Sequence, residues 1–137
     1  MENWKKIKNK LIIDDYLISD DGRIFRKSTN NILKSTTNNP YNYVSKMLKC
    51  IDGKERTFLI HRLVAETFIS NPKNLPIVDH IDSNVQNNKV SNLRWCTIKQ
   101  NNLFRFEKEK KSNIKHTGKR VLFINKELIS KFKKKGK

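Results

Sequence analysis

A chain of 137 residues has the length of one domain and can bury one modest core. Hydrophobic residues make up 36%, thin but above a disordered level, and thirty Lys+Arg against thirteen Asp+Glu leave a net charge of +17. That balance points to nucleic acid or an anionic membrane surface as partner. No apolar run approaches the ~20 residues of a spanning helix, and the N-terminus MENWKKIKNK lacks a signal peptide's apolar stretch. Nucleic acid is therefore the expected partner, inside the cell rather than secreted, with no membrane role.

Residues 1–13 form a Lys-rich lead with Trp4, which packs on the body of the domain or stacks on a base, and an apolar triplet Leu11 to Ile13. Tyr16 to Ser19, then Asp20-Asp21-Gly22, then Arg23 to Arg26 predict a hairpin, since Asp-Gly tolerates the positive φ of a tight turn. KSTNN follows as a polar loop, and Ile32-Leu33 begins another short strand. Tyr41 to Cys50 alternates with the period of a half-exposed strand, and Asp52-Gly53 turns it back into a strand at Arg56 to Ile60. The first sixty residues are thus expected to make one small antiparallel sheet. Its Lys and Arg either lie along DNA or merely solvate an outer face.

From His61 to Ile69 the period changes. Ile60, Leu63, Val64 and Phe68 fall on one stripe of an amphipathic helix that Asn71-Pro72 stops. His61 and Arg62 at its start either contact phosphate or join helix to sheet. After the loop PKNLPI, Val78 to Ile81 predicts a strand, Asp82 to Lys89 a loop rich in Asn, and Leu93 to Thr97 a second strand. Thr97 is a candidate N-cap for a helix from Ile98 to about Lys108. The expected class is α+β, a small N-terminal sheet and helix followed by strand, loop, strand and helix. Cys50 and Cys96 form no CxxC pair, so neither structural zinc nor a disulfide is expected.

Charge is unevenly placed. Residues 1–77 net +6, residues 78–102 net +1 and residues 103–137 net +10. Basic flanks that grip phosphates around a nearly neutral centre fit a chemistry-bearing segment at 78–102. That segment, VDHIDSNVQNNKVSNLRWCTIKQNN, supplies a base, a hard anionic ligand and amides, a set suited to phosphodiester hydrolysis with one oxygen-ligated metal.

VDHIDSN, then NNKVSNLRW, then T followed by QNN resembles the HNH endonucleases of phages and mobile introns, whose nuclease core is a ββα-metal (His-Me finger) fold. The upstream YLISDDGRIFRK and HRLVAETFI resemble the N-terminal module of those homing enzymes, and the likeness covers roughly residues 4–102. It implies a metal-dependent endonuclease that cuts or nicks duplex DNA. Residues 1–70 would position the DNA and residues 71–108 would carry the nuclease core. Residues 109–137 would be a basic tail.

The resemblance makes His80 the general base, since an imidazole can accept a proton near neutrality. Asn92 becomes the amide that orients that imidazole, and Asp79 and Asn101 the ligands of one Mg²⁺ or Mn²⁺. Adjacent strand residues point to opposite faces, so Asp79 and His80 share a site only if the backbone bends there. Plainer roles exist: Asp79 as a turn cap, Asn92 as a left-handed turn residue, and Asn102 in place of Asn101. Val90, Leu93 and Trp95 are expected core.

Arg23, Arg26, Lys46, Arg62, Arg94 and Lys99 are candidate phosphate contacts, Arg94 alternatively facing solvent. Six such contacts would give a log–log salt slope of roughly −5. Ser83 stands where the family usually has Gly, and Ile98 where Pro often follows the Thr. RVLFINKELISKF at 120–132 resembles the opening of a further DNA-reading module, and KFKKKGK a disordered or phosphate-binding tail. A monomer is the simpler expectation. The competing readings are a DNA-binding protein that keeps the HNH fold without the reaction, and an RNA- or ribosome-binding basic protein.

Overall fold

The computed structural model describes residues 2–114, so the segment at 120–132 and the basic tail lie outside the described residues. The fold is α+β, with three antiparallel sheets and two α-helices among those residues. β1 (Trp4–Lys6), β2 (Tyr16–Ser19), β3 (Ile24–Arg26) and β4 (Asn31–Leu33) form a four-stranded meander in sequence order. The Asp-Gly turn between β2 and β3 is made as expected, with Gly22 at φ +84. At the next turn Asn30 takes the left-handed conformation, φ +56, which its short polar side chain tolerates.

β5 (Ser45–Lys49) and β6 (Glu55–Leu59) form a separate hairpin around Gly53 at φ +85. The expected single sheet is therefore two, and β5 begins at Ser45 rather than Tyr41. Residues 34–44 cannot continue a ladder, because Pro40 has no N–H to give and Asn42 is left-handed at φ +58. Two isolated bridges, Thr36 with Ser45 and Ile12 with Cys50, join this region instead. β1 was not foreseen. It is an edge strand whose Lys5 and Lys6 are exposed, and Trp4 packs edge-on against Phe25 at 6.4 Å.

α1 (Ile60–Phe68) follows β6 without a loop, its first N–H bonded to the carbonyl of Val44 at 2.9 Å. The predicted stripe is the buried face: Ile60, Leu63 and Val64 are fully enclosed and Phe68 packs partly against them. β2, β7 (Ile77–His80) and β8 (Leu93–Cys96) all meet this helix. Ile18, Ile24, Leu48, Val78 and Leu93 complete the core around it. The loop from α1 to β7 is pinned by Asn71, whose side chain bonds both backbone groups of Leu75.

One core thus runs from Ile7 to Trp95, within a compact unit that ends at Cys96. A second unit starts at Thr97. There the expected N-cap holds: Gln100 N–H donates to Thr97 Oγ1 at 3.0 Å, and Thr97 N–H donates to Gln100 Oε1 at 2.9 Å. α2 spans Ile98–Ile114, longer than the sequence pattern suggested. Cys50 and Cys96 are buried and unbonded to each other.

Candidate active site on the β7–β8 hairpin

β7 and β8 pair with Ile77 opposite Cys96, Val78 opposite Trp95, Asp79 opposite Arg94 and His80 opposite Leu93. The pleat puts Val78, His80, Leu93 and Trp95 on the face that meets the core, and Asp79 with Arg94 on the other. Asp79 is only 6% exposed, and its Oδ2 accepts from both Nε and Nη2 of Arg94 at 2.9 Å. The candidate metal ligand is thus an oriented carboxylate beside a guanidinium. Among the described residues no three His, Cys, Asp or Glu gather as a metal site. A cation at this hairpin would depend on oxygen donors, the chemistry that suits Mg²⁺ or Mn²⁺ rather than zinc.

His80 is buried at 5% exposure, but its surroundings are polar and aromatic rather than oily. Nε2 lies 2.8 Å from Oδ1 of Asn88. The ring of His61 sits 4.8 Å away, and that of Tyr43 stacks at 6.1 Å. Tyr43 also stacks on His61 at 5.0 Å, so three rings enclose one another. Burial, reinforced by the neighbouring His80 and Arg62, pushes the His61 imidazole down to about 3. Its Nδ1 is buried with no hydrogen-bond partner among the described residues.

The bond expected from Asn92 to the catalytic ring is corrected. Asn92 Oδ1 accepts from Asp82 N–H at 3.0 Å, and Nδ2 donates to Asp82 Oδ1 at 2.9 Å and Asn87 O at 2.8 Å. Its side chain closes the loop 82–92, and Asn88 is the amide that meets the ring. Asp82 collects the Asn84 N–H and Asn87 amide as well, and the Asn87 bond first holds its carboxyl below the usual range. Ser83 stands at φ +67, the left-handed region, where the resembled family usually carries Gly. Asn88 was missed because nothing local separates it from Asn84 and Asn87; only its burial, 5% exposed, marks it.

Most candidate phosphate contacts are fastened within the protein. Arg23 pairs with Glu2 and lies over Trp4, and Arg26 binds Asp15 at 3.0 Å and lies over Tyr16. Arg62 donates to Pro76 O at 2.9 Å over the ring of Trp95, and Arg94 holds Asp79. These pairings join residues distant in sequence, which no local pattern reveals. Lys46 is half-buried on β5, and Lys99 is exposed in the first turn of α2. Asn101 lies in the same helix, its N–H bonded to Thr97 O at 2.9 Å.

Two family models match the chain. Residues 58–103 match the HNH endonuclease family model and residues 2–49 the NUMOD4 motif. A protein of Acanthamoeba polyphaga mimivirus named as an uncharacterized HNH endonuclease is 45% identical over 100 residues, covering 71% of this chain and 30% of that protein. The DNA endonuclease I-HmuI of Bacillus phage SP01 is 35% identical over 98 residues, covering 72% of this chain and 54% of that protein. A solved structure titled for DNA binding and cleavage by the HNH homing endonuclease I-HmuI superposes with a TM-score of 0.67 at 34% identity. It covers 77% of this chain and 59% of its own. The chain therefore spans about half or less of the length of these curated relatives.

Proposed function

From a chain that belongs to the HNH homing-endonuclease family, we propose an enzyme that hydrolyses phosphodiester bonds of duplex DNA with His80 as general base. The observation that carries this reading is the bond between His80 Nε2 and Asn88 Oδ1 at 2.8 Å. An amide oxygen accepts, so Nε2 keeps the proton and the lone pair of the neutral ring sits on Nδ1. That nitrogen takes the proton of the attacking water while Asn88, Tyr43 and His61 hold the ring in place.

Asp79 would be the hairpin's ligand to one Mg²⁺ or Mn²⁺. When bound, the cation supplies charge stabilisation at the phosphate and the leaving 3′ oxygen. Arg94 orients the Asp79 carboxylate for that role. The loop closed by Asn92 fixes Asn88 relative to the end of β7. Arg23, Arg26, Lys46, Arg62 and Lys99 would contribute to the field along the DNA backbone, most of them from ion-paired or stacked positions.

The test is plasmid nicking in Mg²⁺ or Mn²⁺ against EDTA. His80→Ala is expected to abolish cleavage and leave DNA binding nearly intact. Retained metal-dependent cutting by a clean His80→Ala preparation removes His80 as the base. The 5% exposure of His80 favours a second reading, a DNA-binding protein that keeps the fold without the reaction. Plasmid that stays supercoiled with wild type in both metals, while DNA binding persists, selects that reading.

A further inference from the structure

Tyr41 leaves 73% of its surface in water, a rare position for a large ring, and it does not ride on a loose loop. Asn39 fastens the segment: its Oδ1 accepts from the N–H groups of Tyr41 and Tyr43 at 3.2 and 3.0 Å, and its Nδ2 donates to Tyr43 O at 2.7 Å. Pro40 fixes the backbone just before Tyr41, and Asn42 turns left-handed just after it, bonding Asn39 O at 3.1 Å. The ring is held out by construction.

From Tyr41 a row of rings runs inward. Tyr41 and Tyr43 lie 6.1 Å apart, tilted by 47°, and Tyr43 and His80 lie 6.1 Å apart, inclined by only 25°. One end of the row is water and the other is the reactive imidazole. The surrounding segment, residues 22–51, holds six Lys+Arg and no carboxylate. Two backbone bonds between Thr36 and Ser45, at 2.9 and 2.8 Å, place Lys34 and Lys46 at the base of the Tyr41 loop. Neither lysine has an ion-pair partner among the described residues. Aromatic faces interleaved with unpaired cations are what a nucleic-acid strand stacks upon, because every base offers a π-face and every linkage a charge. A base inside a duplex has both faces covered, so the occupant must be lifted from its stack.

We propose that Tyr41 and Tyr43 form a stacking subsite for an unpaired nucleobase of the DNA strand whose phosphate lies at His80. This rests on the nuclease reading above. The subsite would distort the duplex at the scissile step and bring the strand to the buried ring.

The full chain first selects a short duplex from a random pool in EDTA. 2-Aminopurine is then placed at each position of that duplex in turn, and binding is followed for wild type, Tyr41→Phe and Tyr41→Ala. Wild type and Tyr41→Phe are expected to change the fluorescence at one position. Tyr41→Ala should lose that response and bind roughly tenfold more weakly, with an unchanged Tm because the side chain is exposed. No responding position with wild type, or Tyr41→Ala that binds and responds as wild type, overturns the subsite. These readouts need no cleavage. A wild type that stacks a base but never nicks plasmid removes the nuclease reading alone, and one that nicks while Tyr41→Ala binds normally removes the subsite alone.

Discussion

Asp79 and Arg94 stand opposite each other in the β7–β8 register, and their side chains close the rung with Nε and Nη2 both 2.9 Å from Oδ2. The carboxylate is nearly enclosed, whereas the guanidinium is 37% exposed, so water screens one partner and not the other. Arg94→Gln should therefore destabilise the fold by about 1–2 kcal/mol, less than a fully buried pair would lose. Urea denaturation measures this. A change within about 0.3 kcal/mol would mean the pair contributes no more than an ordinary surface contact.

The two asparagines of the loop should separate cleanly. Asn88→Ala removes the partner of His80 Nε2, and cleavage is expected to fall at least tenfold through kcat with KM little changed. Asn92→Ala removes three bonds that tie residues 82 and 87 to the hairpin, at a cost of about 2–3 kcal/mol. Thermal melts and steady-state kinetics on both variants decide it. If Asn88→Ala cuts like wild type, the ring is positioned by its packing alone.

His61 predicts a pH dependence with a definite sign. Its imidazole titrates near 3 in the fold against 6.5 for an ordinary histidine, so the unfolded chain takes the proton first as pH falls. Its contribution is fully present above pH 6.5 and is lost as pH falls toward 3, about 2 kcal/mol of it by pH 5. His61→Phe should flatten that slope and leave stability at pH 7 unchanged or higher, because no buried Nδ1 is left unpartnered. Urea midpoints between pH 7 and pH 5 test it; an equally steep slope in the variant assigns the dependence elsewhere.

Ser83 carries a left-handed backbone that a side chain resists. Ser83→Gly should stabilise by about 0.5–1 kcal/mol, the steric relief outweighing the entropy that glycine loses on folding. A lower Tm for Ser83→Gly would show that the serine hydroxyl contributes more than the backbone costs.

Local rules made parts of this fold legible. The Asp-Gly pairs placed both hairpin turns, the stripe from Ile60 to Phe68 placed α1, and Thr97 placed the start of α2. Asp79 and His80 stood out through the motif VDHIDSN. What stayed hidden depends on distance along the chain. Arg23 finds Glu2 across twenty-one residues and Arg62 finds Pro76 across fourteen. The break between β4 and β5 is a matter of which edges pair, which strand propensity does not encode. Tyr43 and His61 meet His80 because α1 packs on both strands of the hairpin and bonds back to Val44.

The turn at Gly22 does more than reverse the chain. A methyl placed on it would come within 3.0 Å of Asn88 Cβ and 3.2 Å of Ile60 Cγ2, while the neighbouring Asp20 carbonyl takes the N–H of Val90 at 2.9 Å. The tip of an N-terminal hairpin is thereby moulded onto the loop that carries the ring's partner. Swapping residues 78–96 into a foreign scaffold, or recombining two relatives near residue 70, would transplant the chemistry without its mould. Chimeras should work only when the parent that supplies the hairpin brings a glycine at that corner.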